Sequence, residues 1–282
     1  MKRSAKESVL EFFSKILKSS FYALGTPNGN LISAHVAEKL VPIVSAPTPV
    51  GMIKFFCPAP LPEWRARTLL TKEPETLQWI DQFEKGDVFW DIGANVGVYS
   101  LYAAFRQVKV RAFEPSAPNY YLINRNIELN GLDDRISAYC LAFTDASGLD
   151  LFYMSNTELG GALNSFKDQV DWQGQAFRAA VKQAMIGYSI DDFLERFRPD
   201  FPNHIKIDVD GIENKIIAGA AKTLGDPRLK SLLVELDSSR VKYCDSVMGM
   251  IRAGGMKFVE KRRSPIFDNT PYASSFNYFF RR

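Results

Sequence analysis

The sequence predicts an α/β protein built on a doubly wound, mostly parallel, seven-stranded Rossmann-like sheet. Three observations carry this. Apolar runs of strand length alternate with helical spacing from about residue 73 onward, the first run ends in an acid and a glycine-containing turn, and the last two runs read as an antiparallel pair.

Residues 1 to about 25 read as one amphipathic helix, because Phe12, Phe13, Ile16, Leu17, Phe21 and Leu24 recur at three- and four-residue steps between lysines and glutamates. Such a helix suits packing on its own domain, a second subunit or a membrane surface. From 26 to 62 the chain is rich in Pro and Gly, with short strand-like runs such as 52–56. Residues 1–72 are therefore expected to form an N-terminal helix and cap, and 73–282 the main domain.

Each later element has its own signal. "EPETLQWIDQF" (73–83) has helical spacing with Pro74 suited to a first turn. A strand at 88–92, a helix at 96–105, a strand at 108–113, a helix at 117–130 stopped by Gly131 and a third strand at 136–143 follow. The stretch 149–184 breaks the alternation. "LDLFYM" and "AFRAAVKQAM" bracket "NTELGGALNSF", which predicts a hairpin-like insertion with a mobile tip. Ser189 is placed to cap a helix at 190–197, before a strand at 204–209, a helix at 212–224, a strand at 229–236 and a helix at 241–253. "KFVEKRR" and "SFNYFFRR" supply the closing pair.

Composition narrows the function. The 282 residues, 46% hydrophobic and 24% charged, suit a globular chain with a sizeable core. No run approaches a transmembrane span, and Glu7, Glu11, Lys15 and Lys18 interrupt any signal-like apolar stretch, so a cytoplasmic location is expected. A net charge of +3 with signs interspersed argues against a nucleic-acid partner and for small-molecule chemistry. Cys57, Cys140 and Cys244 form no Cys-x-x-Cys pair and read as small core residues.

The turn "DIGANVG" (91–97) joins a strand end to a helix start, a unit that offers backbone amides to a ligand. Only Gly93 and Gly97 are present, so the Gly-x-Gly-x-x-Gly dinucleotide fingerprint is absent, and Asp91 would repel a pyrophosphate. An acid there suits a cationic ligand. Glu114, in "AFEPS", follows 23 residues later, at a distance where an acid accepts from both hydroxyls of a ribose. A cation at the first strand end and a ribose at the second describe S-adenosylmethionine. Ala142 and Phe143, in "CLAFTD", are then placed beside the adenine, with Asp145 near its amino group.

These blocks, with "FEPSAPNYYLINRNIELNGL", "YSIDDFL", "IKIDVDGIENKIIAGA", "LLVEL" and the terminal "NYFF", resemble the FkbM family of S-adenosylmethionine-dependent methyltransferases, in order from about Glu73 to the C terminus. The resemblance implies a class I methyltransferase fold and, in most members, O-methylation of a hydroxyl on a sugar, glycan or natural-product intermediate. It implies a cofactor set of Asp91, Gly93, Asn95, Gly97, Glu114, Pro115, Ala142, Phe143 and Asp208. One position departs: Asp210 stands where the family's block has Glu, an acid shortened by one methylene.

Alternation along 204–210 puts His204, Lys206, Asp208 and Asp210 on one strand face. Lys206, beside Asp91 and the strand of Glu235, is expected in a structural ion pair, and His204 is expected packed rather than catalytic. Asp208, at the sheet edge where open α/β sheets bind ligands, is the leading catalytic candidate, followed by Asp210 and Glu213 at the next helix start. No metal is assigned, since Asp208 and Asp210 two residues apart are a weak signal for Mg²⁺. Most aromatics read as core, with Trp172 in the insertion the exception. The rival readings are a non-catalytic binding protein or scaffold on a methyltransferase fold, and a methyltransferase for another acceptor class.

Overall fold

The computed structural model describes residues 5–23 and 25–282, and its chain divides into two compact units, Met1–Pro42 and Ile43–Arg282. Leu24 and residues 1–4, part of the predicted first helix, lie outside the described residues. In the first unit that helix is α1 (Ala5–Tyr22), followed by α2 (Thr26–Lys39) where the sequence had suggested irregular chain. Gly25, at φ +88°, makes the turn between them, and Pro27 falls in the first turn of α2, where its missing N–H costs nothing.

The second unit opens with a hairpin, β1 (Ile43–Thr48) and β2 (Gly51–Phe56), then α3 (Pro60–Arg67) and α4 (Pro74–Ile80). The expected cap is thus divided: residues 43–72 belong to the compact unit that holds the main sheet. Side-chain amides fasten the hairpin there, with Asn126 accepting from the Phe56 amide at 2.7 Å and Asn130 from the Lys54 amide at 2.9 Å.

The doubly wound core then follows in the expected order. β3 (Val88–Ile92), α5 (Val98–Phe105), β4 (Lys109–Phe113), α6 (Ala117–Asn130) and β5 (Ile136–Tyr139) build one half. β6 (Ala142–Phe143), β7 (Gly148–Met154), β8 (Asn164–Phe166) and β9 (Val181–Tyr188) form a separate four-stranded sheet in the order β6-β9-β7-β8. The predicted third strand at 136–143 is therefore two strands in two sheets. The predicted hairpin is the antiparallel β7–β9 pair, widened by β8 and β6.

α7 (Ile190–Phe197), β10 (His204–Ile207), α8 (Glu213–Ala218), α9 (Ala221–Gly225), β11 (Ser231–Asp237), α10 (Val241–Ala253), β12 (Lys257–Arg262) and β13 (Ser275–Arg281) complete the chain. The seven-stranded sheet runs β12-β13-β11-β10-β3-β4-β5, parallel except for β13, which pairs antiparallel with both β11 and β12. The helix predicted at 212–224 breaks at Gly219, where a Cβ would lie 2.3 Å from the Thr144 carbonyl oxygen. Asp191 then restarts it, its carboxylate accepting from the Lys222 and Thr223 amides.

Both sheet faces are covered, and strand alternation assigns them. Phe89, Val110 and Ala112 pack with Leu101 and Ile123 on one face, while Val88, Trp90 and Ile92 pack with Phe193, Ile216 and Val247 on the other. Each fully buried Phe or Leu of this kind contributes about 1.5–3 kcal/mol. Cys57 and Cys244 are buried as expected, whereas Cys140 is exposed. Among the described residues, no helix is long and apolar enough to cross a membrane.

Candidate active site

A cavity of about 440 Å³ opens at the carboxyl ends of β3, β4 and β10, the edge where parallel sheets bind ligands. Its lining includes Gly93, Asn95, Glu114, Pro115, Ala142, Phe143, Asp208 and Asp210, so the structure gathers eight of the predicted site residues into one place.

The 91–97 turn is folded onto the end of β4. The amides of Gly93 and Ala94 donate to the Phe113 carbonyl at 2.9 and 3.1 Å, and the Asn95 amide donates to Glu114 Oε2 at 2.7 Å. Asn95 adopts the left-handed region at φ 51°, which Asn tolerates, and this turns its amide toward Glu114. Gly93 could be nothing else: at φ +85° a Cβ would sit 1.9 Å from the Asp208 carbonyl oxygen. Gly97 meets a similar limit from Ile123, at 2.7 Å, but lies beneath the cavity as the residue before α5.

Glu114 is buried, and its other oxygen accepts from the Ser116 amide at 2.8 Å. Burial outweighs these backbone donors and raises its carboxyl to about 7. Asp91, by contrast, does not reach the cavity. It is 1% exposed, accepts from Ser100 Oγ at 2.6 Å and leaves Oδ1 without a partner, while the Lys206 ammonium offsets part of its burial. The structure thus places Asp91 off the cavity lining, with its carboxylate against Ser100 and Lys206. Asp145 also stays outside the lining, bonded to Thr144 and 3.6 Å from Lys167.

Three carboxylates meet at the opposite end. Single oxygens of Glu73, Asp208 and Glu235 all lie within 4.8 Å of one another. Lys206 Nζ, fully buried, sits 2.5 Å from Asp208, and Lys72 pairs with Glu73. Burial would raise Asp208, yet Lys206 and Lys72 outweigh it and hold the carboxyl at about 2, whereas burial together with Asp208 and Glu73 pushes Glu235 upward. The expected ion pair of Lys206 is present. His204 is packed as expected, stacked on Phe83 at 3.7 Å and bonded to Ser231 and Asp87.

Asp210 lines the cavity and accepts from the Asn164 amide at 2.8 Å, tying β8 to the end of β10. Glu213 does not line it. Its carboxylate accepts from Tyr243 at 2.6 Å and from the Gly211 amide at 3.0 Å, which makes it a brace for the start of α8. Burial raises Glu213 to about 7.

The insertion covers the cavity from one side. Asn95 and Asn119 both donate to the Gly161 carbonyl, at 2.8 and 2.9 Å, and Arg65 of α3 donates to Gly160 at 2.8 Å. Trp172 is not in the lining but packs at 5.5 Å against Tyr272, which is. Sequence reading missed Glu73 and Trp64 as cavity residues and saw Glu235 only as a partner for Lys206. Glu235 carried a usable signal, since it lies near the carboxyl end of β11, on the same edge as Asp208. Glu73 and Trp64 had none, because α3 and α4 reach the site by tertiary packing.

Comparison with known proteins adds three findings. A family model for the Methyltransferase FkbM domain matches residues 91–257, more than half of the chain. Methyltransferase sdnD of Sordaria araneosa is 28% identical over 151 residues, covering 46% of this chain and 58% of its own. Hexuronic acid methyltransferase AglP of Haloferax volcanii is 23% identical over 163 residues, covering 57% of this chain and 61% of its own. The chain therefore spans about three fifths of the length of these curated relatives.

Proposed function

The chain belongs to the FkbM methyltransferase family, and on that premise we propose that it is an S-adenosylmethionine-dependent O-methyltransferase acting on a hydroxyl of a sugar, glycan or natural-product intermediate. The observation that carries this is the clamp of the Asn95 and Ser116 amides on Glu114, in one cavity with Gly93 and Asp208. The clamp fixes a carboxylate whose remaining lone pairs suit the two hydroxyls of a ribose.

The residues present fit the cofactor. Gly93 lets the turn lie directly against the Asp208 backbone at the cavity's edge, while Ala142, Phe143 and Leu141 offer an apolar wall for a base, and the acidic far end suits the cationic amino-acid part. Asn95 contributes a buried Oδ1 that has no partner. When bound, the cofactor supplies a methyl group activated by a sulfonium for in-line displacement.

This chain's own residues align and protect that step. Asp208, held ionised by Lys206, would face the acceptor, and the carboxylates at this edge would take the proton that the hydroxyl gives up on methyl transfer. Asp210 positions the insertion through Asn164, and α3 with the 155–163 segment covers the acceptor and excludes water. The partner proposed for it is a small molecule or glycan rather than a nucleic acid, in keeping with a net charge of only +3.

Calorimetric titration with S-adenosylmethionine and S-adenosylhomocysteine, with NADH as a control, tests the reading. Micromolar binding of the first two is expected. A folded, ligand-free sample that binds neither would leave the scaffold reading in its place.

A further inference from the structure

Of the cations that line the cavity and a small niche beside it, Lys72 is paired with Glu73, Lys206 with Asp208 and Arg263 with Asp268. Arg65 of α3, half-buried in the same lining, makes no ion pair with a carboxylate among the described residues. Its Nε donates to the Gly160 carbonyl at 2.8 Å, which fixes the guanidinium and leaves its two terminal nitrogens for a ligand. Glu114 and Asp210 feel its charge without pairing with it, and the amides of Asn95, Ser116 and Asn164 hold those carboxylates where they are.

The niche is where that unpaired charge acts. It holds about 30 Å³, room for one small polar group, and Arg65, Lys72, Gly93, Asn95 and Asp208 line both it and the main cavity. Val98 and Tyr99, the first residues of α5, line it as well, and the N-cap Gly97 brings no side-chain hydrogen bond to that helix start. Arg65 and the positive end of the helix dipole therefore act with one sign on one small space, while the Lys206 and Asp208 charges offset each other. Such a space suits an anion.

We propose that Arg65 anchors the carboxylate of the cofactor's amino-acid part, an inference that rests on the methyltransferase reading. That part is a zwitterion. Its ammonium suits the acidic end, but its carboxylate, brought close to Asp208 and Glu73, needs a cation that those acids have not already neutralised. Arg65 supplies one, and its planar guanidinium matches a carboxylate with two parallel hydrogen bonds. Arg65 lies outside residues 91–257 that the family model matches, so this contact comes from a segment that precedes the matched domain.

The test compares S-adenosylhomocysteine with its decarboxylated form, the aminopropyl thioether, by calorimetric titration of the wild type and of Arg65→Ala. The wild type is expected to bind the first at least about tenfold more tightly. The variant should lose most of that preference while binding the decarboxylated ligand as before. Equal affinity of the wild type for the two ligands overturns the proposal, whether or not the variant folds. An equal loss for both ligands in the variant overturns it too, because Arg65 would then be only a tether for Gly160, and so does a preference that the variant keeps. A folded wild type that binds neither ligand removes the methyltransferase reading and this inference with it, so the two failures are told apart.

Discussion

The two ends of the cavity are built in opposite ways. At the Glu114 end, Gly93, Asn95, Glu114 and Pro115 come from two consecutive strand–helix turns and are held by backbone amides. At the acidic end, Glu73, Asp208, Glu235 and Asn277 come from four elements spread over two hundred residues, and they are held by lysines and each other. The first end is rigid because short loops and main-chain bonds define it. The second is balanced charge by charge, so its geometry depends on the whole sheet being assembled. One end thus tolerates changes at a distance, and the other does not.

The sharpest way to break this contrast is Gly93→Ala. The added methyl meets the Asp208 carbonyl oxygen at 1.9 Å in a backbone region unfavourable to alanine, so one change should damage both ends. A loss on the order of 3 kcal/mol in urea unfolding is expected, together with loss of nucleoside binding. An unchanged midpoint would mean that the turn and the β10 end move independently.

Glu114→Ala should separate the ends. It removes the acceptor of the Asn95 and Ser116 amides, and binding of S-adenosylhomocysteine should weaken by about 1.5–3 kcal/mol for each charge-assisted bond lost. The Lys206–Asp208 and Lys72–Glu73 pairs at the acidic end keep their partners.

A pH titration sharpens the same point. Burial raises Glu114 from an ordinary 4.5 to about 7, so the folded chain keeps a proton that the unfolded chain has already released. Its contribution to stability therefore falls as pH rises from 4.5 to 7. Ribose hydroxyls favour the ionised carboxylate, so affinity for S-adenosylhomocysteine should climb several-fold between about pH 6 and pH 8. Glu114→Gln should flatten that rise, and a slope that survives would place the titrating group elsewhere.

The smallest effect is expected from Asn119→Ala. Asn119 donates to Gly161 at 2.9 Å and accepts from the Gly160 amide at 2.8 Å, so its loss should loosen the insertion by about 1 kcal/mol. Hydrogen exchange at 155–163 should quicken while the protection of β3 and β10 stays the same.

Legibility in the sequence follows the same division. Strand periodicity, the glycine-containing turn and the acid 23 residues beyond it were readable because each is local, and local spacing fixes which side of a strand or turn a residue occupies. The neighbours of Asp91 were not legible, because an acid at a strand end looks identical whatever it faces, and here Ser100 and Lys206 meet it. The same holds for Glu213 at a helix start, where Tyr243, thirty residues on, donates to its carboxylate.

The sequence by itself determined the alternation of β3, α5, β4 and α6, the closing antiparallel pair and the family to which the chain belongs, since all of these rest on residues close in the chain. Only the tertiary structure decided that Glu73 and Asn277 stand beside Asp208 and Glu235, and that Trp64 and Arg65 reach the cavity. Those neighbours are created when β13 inserts next to β11 and α3 and α4 pack over the edge. No local spacing encodes a contact whose partners lie two hundred residues apart.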